Sequence, residues 1–327
     1  MSRRLSTVCT MIVFAFVSAA SGCSSASNPT PVSRSGAAGS VKAPQSAGIW
    51  TTKASMPTAR SWLAAGAVNG VLYAIGGNDP SGYSVNTVKA YDPASDTWST
   101  KASMPTANEG LAAGVINNIL YAVGGNDPKT LFVNTVEAYD SATDSWTSKA
   151  PMPTGRAYLA VGVVNGMLYA VGGENIGGWL NTVEAYDPST DTWSSKAPMP
   201  THRYGLAVAV VHGILYAVGG SYSLTTVEAY DPSTDTWTTK APMHRKRCCL
   251  SASVLGRKLY AVGGIDGAVG KHTVEAYDTA TNTWTTTSPM PTTRWALASR
   301  VIGRTIYAVG GANSGGQLNT LEAFTPR

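Results

Sequence analysis

The sequence predicts an all-β fold, a six-bladed β-propeller with four-stranded blades, and three observations support this prediction. The string Tyr-Ala-(Val/Ile)-Gly-Gly occurs six times along the 327-residue chain. A tryptophan also recurs six times, in step with that string. Each unit also holds four short strand-like runs, and none of them has the length and period of a helix. Repetition of a four-stranded antiparallel unit is typical of propeller blades.

Three kinds of residue mark the units. The first glycines of the six pairs are Gly76, Gly124, Gly172, Gly219, Gly263 and Gly310. The recurring tryptophans are Trp50, Trp98, Trp146, Trp193, Trp237 and Trp284. A tyrosine precedes five of these tryptophans, at Tyr91, Tyr139, Tyr186, Tyr230 and Tyr277, and Phe324 takes its place in the sixth unit. These large apolar side chains are suited to packing one blade against the next.

The fourth unit illustrates how the strands are assigned. Its four strand-like runs are residues 206–211, 214–218, 226–230 and 236–240. Turns that contain glycine, aspartate or proline separate the runs, because these residues favour tight reversals of the chain. Four consecutive short runs of this kind predict an antiparallel blade.

The two ends of the repeat complete one another. The unit that begins at Arg294 supplies three runs and stops at Arg327 without a tryptophan-bearing strand. The spare strand, residues 49–53, contains Trp50 and lies at the other end of the repeat. We therefore expect the N-terminal strand to complete the last blade, which leaves the ring without an open edge.

The first residues indicate export. Residues 1–22 are predicted to be a signal peptide, because a positively charged start is followed by an apolar run and then by small residues. The segment Ala20-Ser21-Gly22-Cys23 resembles a bacterial lipobox, with alanine where leucine is usual. The resemblance implies lipidation of Cys23. Ordinary cleavage near Ala20, which would leave Cys23 as a thiol, is the alternative.

The segment after the signal predicts a linker rather than a domain. Residues 23–48 are rich in serine, alanine, proline and glycine and have no hydrophobic period, which is typical of a flexible tether. The folded domain is therefore predicted to span residues 49–327. With lipidation, the protein is expected to be exported and anchored to the bacterial envelope, at the outer membrane or cell surface. Without it, the protein is expected to be periplasmic or secreted.

The repeat also resembles a known family. The double glycine, the tyrosine and the tryptophan together resemble the kelch repeat, and the resemblance covers residues 49–327. It implies a six-bladed kelch propeller and a structural role for one more recurring residue. This residue is the arginine at Arg60, Arg156, Arg203, Arg247 and Arg294. Asn108 takes its place in the second unit.

Composition and residue spacing argue against several function classes. The net charge of +5 is small and dispersed, so nucleic acid is not an expected partner. The four histidines fall at unrelated repeat positions, and no metal site or cofactor is predicted. The kelch-like copper oxidase family requires a histidine and tyrosine arrangement that this chain lacks. Paired aspartates such as Asp187 and Asp191 are better explained as turn caps than as calcium ligands.

Aromatic residues outside the repeat pattern are the main binding candidates. They are Trp62, Tyr83, Phe132, Tyr158, Trp179, Tyr204, Tyr222 and Trp295. All eight fall in loops between second and third strands or just before first strands, which open on one face of an antiparallel blade. Aromatic rings around a shallow mouth suit stacking on sugars or anchoring a peptide. We expect Trp62, Tyr158 and Trp295 at the centre. The alternative is that variable loops simply share this face.

Three further candidates depart from the repeat. Arg300 stands where the other units have small residues facing the propeller axis, so its charge is predicted either in the central channel or in solvent. Cys249 lies at the channel mouth beside Cys248, and the pair is either two buried thiols or a vicinal disulfide. Arg245 and Lys246 belong to a basic cluster before the fifth blade, which predicts a local positive patch for an anionic ligand.

These observations favour a binding module over an enzyme. The leading interpretation is an envelope- or surface-exposed propeller that recognises a protein or glycan ligand through one loop face. Contact with a membrane is expected only through the lipid anchor at Cys23. Six-bladed kelch enzymes include a bacterial sialic-acid mutarotase family, so a sugar-processing enzyme is the alternative. Glu109 and Glu174 would be its acid–base candidates. A purely structural envelope protein is a third class.

Overall fold

The computed structural model describes residues 48–327. The predicted signal peptide, Cys23 and the tether therefore lie outside the described residues. The chain from Gly48 onward forms β-strands joined by turns and loops, and it contains no helix among the described residues. Accordingly, residues 48–327 include no helix that is long and apolar enough to cross a membrane.

The N-terminal strand and the first three blades contain seventeen strands. The chain starts with β1 (Gly48–Lys53). Blade 1 contains β2 (Ala64–Val68), β3 (Val71–Ile75), β4 (Val88–Asp92) and β5 (Thr97–Lys101). Blade 2 contains β6 (Ala112–Ile116), β7 (Ile119–Val123), β8 (Asn126–Asp127), β9 (Leu131–Phe132), β10 (Val136–Asp140) and β11 (Ser145–Ser148). Blade 3 contains β12 (Ala160–Val164), β13 (Met167–Val171), β14 (Glu174–Asn175), β15 (Gly178–Trp179), β16 (Val183–Asp187) and β17 (Thr192–Lys196).

The last three blades contain the remaining strands. Blade 4 contains β18 (Ala207–Val211), β19 (Ile214–Val218), β20 (Val227–Asp231) and β21 (Thr236–Lys240). Blade 5 contains β22 (Ser251–Leu255), β23 (Lys258–Val262), β24 (Ile265–Asp266), β25 (Val269–Gly270), β26 (Val274–Asp278) and β27 (Thr283–Thr286). Blade 6 contains β28 (Ala298–Ile302), β29 (Thr305–Val309), β30 (Ala312–Asn313), β31 (Gly316–Gln317) and β32 (Leu321–Pro326).

The topology confirms the predicted six-bladed propeller. Each blade is a four-stranded antiparallel sheet, and in blades 1 to 5 the strands pair in chain order from the axis outward. In blades 2, 3, 5 and 6 the loop between the second and third blade strands carries a small two-stranded hairpin. The innermost strands, β2, β6, β12, β18, β22 and β28, contact one another in sequence and close a ring around the axis.

The ring closes through the N-terminal strand, as predicted. Strand β1 pairs antiparallel with β32 and becomes the outermost strand of blade 6. Trp50 lies opposite Phe324 in this register, and their ring centroids are 5.1 Å apart. The Trp50 indole N–H donates to the Ser288 carbonyl at 2.9 Å, which ties β1 to the blade 5 side of the ring.

Neighbouring blades are joined by one repeated set of hydrogen bonds. At the blade 2–3 boundary the Trp193 indole N–H donates to the Ala150 carbonyl at 2.9 Å. The Ala150 N–H donates in turn to Asp191 Oδ1, which also accepts the Tyr186 hydroxyl at 2.6 Å. These bonds, the Tyr186 hydroxyl first, lower the pKa of Asp191. Asp187 accepts the Ser189 backbone N–H in the same turn, so both aspartates have structural partners.

The recurring arginines are fully buried, and most form ion pairs. Arg156 Nη1 donates to the Gly172 and Thr182 carbonyls, and its Nη2 lies 2.7 Å from Glu184. The same pairing occurs for the arginines of blades 4, 5 and 6. Blades 1 and 2 depart from it. Arg60 has no carboxylate partner among the described residues, because Lys89 takes the place of the glutamate.

Blade 2 has the buried glutamate of this ion pair but lacks the arginine. Glu137 is buried, but Asn108 occupies the arginine position, and no ion pair forms there between described residues. Glu137 Oε1 accepts a hydrogen bond from the Thr106 hydroxyl at 2.6 Å, whereas Glu137 Oε2 and Asn108 Oδ1 have no hydrogen-bond partner in the part of the chain that the structure describes. Burial raises the pKa of Glu137. A buried carboxylate without its cation destabilises the fold, because its charge is desolvated without compensation.

Candidate functional site

A closed belt of six backbone hydrogen bonds surrounds the channel mouth on the loop face, the side that carries the loops between second and third blade strands. One residue from each blade belongs to the belt, and each N–H donates to the carbonyl of the belt residue in the preceding blade at 2.7–2.9 Å. The belt residues are Trp62, Gly110, Tyr158, Gly205, Cys249 and Ala296. The belt fixes six equivalent positions from which side chains project at the mouth.

Every belt residue has a left-handed backbone conformation. The φ angles of the six residues lie between 51° and 62°. Glycine adopts this conformation without steric cost, as at Gly110, whereas a bulky L-residue is strained in it. Trp62 and Tyr158 nevertheless occupy belt positions with φ angles of 54° and 52°. Retention of large aromatic residues at strained positions is typical of functional sites.

The two belt aromatics contact one another across blade 2. Their ring centroids lie 4.6 Å apart at an interplanar angle of 70°, an edge-to-face arrangement. Gly110 makes this contact possible, because a Cβ at that position would lie only 2.7 Å from two ring carbons of Tyr158. The absence of a side chain in blade 2 therefore creates the space in which Tyr158 extends toward Trp62.

Aromatic contacts continue outward from the belt over blades 3 and 4. Tyr158 and Tyr204 have ring centroids 6.3 Å apart, and Tyr204 and Trp179 are 5.6 Å apart. The ring centroids of Trp179 and Tyr222 are 4.8 Å apart. Trp179 is 37% exposed and Tyr222 is 73% exposed, so the outer end of the row faces solvent. We call Trp62, Tyr158, Tyr204, Trp179 and Tyr222 the aromatic row.

The other three predicted aromatics lie apart from this row. Tyr83 is 68% exposed in the blade 1 loop. Phe132 pairs with Asn126 in the small hairpin of blade 2. Trp295, which the sequence analysis placed at the centre, is one residue away from the belt, where Ala296 stands. Its ring instead lies over Gly270, whose Cβ, if present, would be 2.8 Å from it.

A polar cluster lies beside the aromatic row at blades 6, 1 and 2. Asn78 Nδ2 donates to Glu109 Oε2 at 2.6 Å, and Gln317 Nε2 donates to Asn78 Oδ1 at 3.0 Å. Asn126, which pairs with Glu109 through the backbone, has a buried Oδ1 without a hydrogen-bond partner among residues 48–327. Glu109 was predicted from the sequence as an acid–base candidate, whereas the amide residues were not predicted. For Asn78 and Asn126 the signal was the variation at the residue that follows each repeat glycine pair, whereas Gln317 lies in the small hairpin of blade 6.

Glu174 is the residue that follows the glycine pair of blade 3, so it occupies the same repeat position as Asn78 and Asn126. Its backbone pairs with Ala157, the residue before Tyr158, and with Trp179 in the small hairpin. The side chain is buried at 7% exposure, and this burial raises its pKa. Glu174 therefore lies beside Trp179 of the aromatic row and beside the residue that precedes Tyr158. A carboxyl group in this environment keeps its proton to higher pH than an exposed one, and in that form it can donate a hydrogen bond.

The adjacent cysteines lie on the other side of the belt. Cys249 is the belt residue of blade 5, and its Sγ lies 3.0 Å from Cys248 Sγ. Both side chains are buried thiols, the first of the two alternatives for this pair. A hydrogen bond from Cys249 and contacts with Ser223 lower the pKa of Cys248. Cys249 Sγ would be 3.3 Å from a Cβ at Gly205, so it leans over the neighbouring belt position.

The predicted basic patch is partly neutralised. Lys246 Nζ and Lys271 Nζ lie 3.9 and 3.8 Å from the two carboxylate oxygens of Asp266. His244 Nδ1 lies 3.2 Å from Glu275 Oε1. Arg245 is exposed to solvent. Exposed pairs at these distances contribute little to stability, but they reduce the net positive charge available to an anionic ligand.

Arg300 extends into the central channel, one of its two predicted positions. Its Nη2 donates to the Ala113 carbonyl of blade 2 and its Nη1 to the Ser299 carbonyl, both at 2.8 Å. The guanidinium thus crosses the channel from blade 6 to blade 2. Desolvation lowers the pKa of Arg300 to about 10, which still leaves it charged at neutral pH.

The mouth itself offers little enclosed space. The belt residues and the leucines that follow them line a cavity of about 90 Å³. Pockets that enclose a drug-sized ligand usually have volumes of roughly 300–1,000 Å³. Any ligand larger than a few water molecules must therefore lie over the belt and the aromatic row. Among residues 48–327, no group of three histidine, cysteine, aspartate or glutamate residues is arranged to hold a metal ion.

The fold and the repeat together define a class of protein, a closed six-bladed propeller with four strands in each blade. The family comparison is consistent with this class. The family described as the KLHDC2/KLHL20/DRC7 Kelch-repeats domain matches residues 100–264. The kelch motif matches residues 59–105 and 246–291. The first match alone covers half of the chain, and the chain belongs to the kelch-repeat family.

Comparison with solved structures supports the same fold. The structure described as that of YjhT superposes with a TM-score of 0.71 and covers 83% of this chain and 96% of its own. The two sequences are 18% identical, so this similarity shows the fold alone. No curated protein sequence matches the chain.

Proposed function

We propose that this kelch propeller is a recognition module that binds a carbohydrate on its loop face. The observation that carries the proposal is the strained pair Trp62 and Tyr158 at the channel mouth. Aromatic rings stack on the apolar faces of sugars, and they also supply large contact area with little loss of conformational entropy. Strain at both positions is expected to persist because the side chains contribute to binding rather than to folding.

The polar groups beside the aromatic row support a carbohydrate over a purely apolar partner. Glu109, Asn78 and Gln317 form one hydrogen-bonded cluster of a carboxylate and two amides. Sugar hydroxyls both donate and accept hydrogen bonds, so carboxylates and amides next to aromatic rings match their two chemical faces. A polypeptide anchored by its side chains is the competing ligand class.

The small volume of the mouth supports binding at the surface. A ligand that lies over a 90 Å³ depression remains largely open to solvent. Catalysis generally benefits from a site that excludes water, because electrostatic interactions are stronger there. We therefore propose that the loop face binds its ligand without converting it, and we treat catalysis as the second candidate. The aromatic row would contact successive units of an extended chain, from Trp62 at the axis to Tyr222 near the rim of blade 4.

A sugar-processing enzyme is the second candidate, and Glu174 is the observation that favours it. A buried carboxyl group whose pKa is raised is suited to general acid–base catalysis. Time-resolved optical rotation of freshly dissolved sugars in the presence of the protein would detect mutarotation. Saturable activity that is lost in Glu174→Gln would favour the enzyme, whereas binding without turnover would favour the recognition module.

The experiment that tests the ligand class is a parallel screen of glycan and peptide arrays. Residues 48–327 of the wild type would be compared with the double variant Trp62→Ala/Tyr158→Ala. Signals on glycans that disappear in the double variant support the proposal. Signals confined to peptides would replace the carbohydrate with a polypeptide ligand. Glycan signals of equal strength in both proteins would place the site elsewhere.

We also propose that the module acts at the bacterial envelope, anchored through Cys23. The lipobox-like segment and the tether-like composition of residues 23–48 support this location. Fractionation of cells that express the full chain, as wild type and as Cys23→Ala, tests the anchor. The wild type is expected in the membrane pellet and the variant in the soluble fraction. Equal amounts of both in the pellet would contradict lipidation.

A further inference from the structure

The central channel contains a positive charge that nothing neutralises among the described residues. Arg300 takes part in no ion pair there, whereas four of the five recurring buried arginines are paired with glutamates. Its two hydrogen bonds to described residues go to backbone carbonyls, which satisfy donors but do not cancel a charge. Arg300 is half-buried, and the channel walls remove part of its hydration. Partial desolvation of a charge without a counterion is unfavourable, so the guanidinium favours an accompanying anion.

The space around the guanidinium can accommodate that anion. Arg300 lines two cavities, one of about 100 Å³ toward the loop face and one of about 270 Å³ on the opposite side. A water molecule occupies roughly 30 Å³ of liquid volume, so the larger cavity has room for a small ion and several waters. Two of the five N–H donors of the guanidinium bind the Ser299 and Ala113 carbonyls, so three remain for an anion or water.

The lining of the larger cavity selects the kind of anion. Its side chains are mostly apolar, and they include Val115, Val163 and Val210. Ser253 is the hydroxyl-bearing residue of this lining, and its Oγ shares a hydrogen bond with Ser299 Oγ at 2.8 Å. A site with one charge, one hydroxyl and apolar walls cannot replace the water around a strongly hydrated anion. It therefore favours weakly hydrated ions of single charge.

We propose that the channel of this propeller is an anion-binding site in which Arg300 holds a weakly hydrated monoanion of the size of bromide or nitrate. The site lies inside the ring and is distinct from the loop-face surface proposed for carbohydrate. The bound anion would neutralise the guanidinium between blades 6 and 2 and so stabilise the closed ring. Binding to the folded state alone raises the melting temperature as the anion concentration increases.

The first test is a melting series at constant ionic strength. Sodium gluconate, whose anion is large and strongly hydrated, would be replaced stepwise by sodium bromide. The wild type is expected to gain roughly 2–4 °C, whereas sodium fluoride should have a much smaller effect. Arg300→Met removes the charge with a side chain of similar length and should abolish the bromide response. Arg304→Met, an exposed arginine of the same blade, is the matched control and should retain it.

The second test does not depend on a variant that folds. Crystals of the wild type grown in bromide would be examined for anomalous scattering at the channel. A bromide peak within hydrogen-bonding distance of the Arg300 guanidinium is the expected result. A channel that holds water alone, or a melting response that is identical in Arg300→Met, would overturn the proposal. Because neither readout uses a carbohydrate, this proposal and the proposed function can fail independently.

Discussion

Trp62 and Tyr158 meet edge to face, with ring centroids 4.6 Å apart, although blade 2 lies between the blades that carry them. Gly110 leaves open the position between them, and the backbone belt holds all three residues in left-handed conformations. The contact thus joins three blades at the channel mouth. Because glycine would satisfy the backbone at each belt position, the aromatic side chains require an explanation beyond folding, and ligand recognition supplies one.

Relief of belt strain should stabilise the propeller where the side chain has no binding role. Ala296 has a φ of 51° in the belt, so Ala296→Gly is expected to raise the free energy of unfolding by about 1 kcal/mol. Ala65→Gly serves as the control, because Ala65 lies in the regular strand β2, where glycine should destabilise. Denaturant unfolding measures both. A belt without strain would make Ala296→Gly neutral or destabilising.

Completing the missing ion pair of blade 2 should also stabilise the fold. In Asn108→Arg, the guanidinium is expected to reach Glu137 as Arg156 reaches Glu184 in blade 3. The free energy of unfolding should rise by at least about 1 kcal/mol, since a buried carboxylate gains a charged hydrogen-bond partner. In a Glu137→Gln background, where no carboxylate is present, Asn108→Arg should not give this stabilisation. Equal effects in both backgrounds would show that no ion pair forms.

The unpaired Glu137 predicts a pH dependence of known sign. Burial raises its folded-state pKa, so the folded protein retains the proton at pH values where the unfolded chain has released it. Its contribution to stability is therefore full below the ordinary glutamate pKa and is lost as pH rises through the folded-state pKa. Relative to wild type, Glu137→Gln should be more stable at pH 7, and the difference should vanish near pH 4. A difference that is constant with pH would contradict the assignment.

Closure by β1 predicts a strong dependence on the first described residues. Trp50 packs on Phe324 and donates to Ser288, so Trp50→Ala should lower the free energy of unfolding by about 2–3 kcal/mol. Thr52→Ala, at an exposed position of the same strand, should have little effect. A truncated chain that begins at Pro57 should be less stable than either variant. Melting of that chain at the wild-type temperature would show that the ring does not need β1.

Much of the fold could be predicted from the sequence because glycine pairs, tyrosines and tryptophans recur at fixed positions of the blades. The tryptophan missing from the last unit and the spare Trp50 were enough to predict the closure. The family relationship followed from the same residues. The choice of Trp62 and Tyr158 came from removing the repeat aromatics, and both occupy the belt. The role of the loop face in binding stays a prediction.

Other features depend on geometry that the repeat does not encode. Trp295 and Trp62 both precede a first strand, but a shift of one residue directs Trp295 away from the belt, because neighbouring side chains face different ways. Gln317 and Asn78 are far apart in sequence and meet only because the ring closes. The belt hydrogen bonds connect backbone atoms of different blades. No residue type in the sequence predicts these hydrogen bonds, although glycine at two belt positions is consistent with the positive φ angles of the belt residues.

The most direct test of the proposed function is calorimetric titration with a glycan identified on the array. Trp62→Ala and Tyr158→Ala should each weaken binding by about 1–3 kcal/mol without loss of folding, since central aromatic residues commonly contribute this much. Tyr83→Ala removes an exposed aromatic of the same face outside the aromatic row and should bind like the wild type. Wild-type affinity in folded Trp62→Ala and Tyr158→Ala would contradict a binding site centred on the belt.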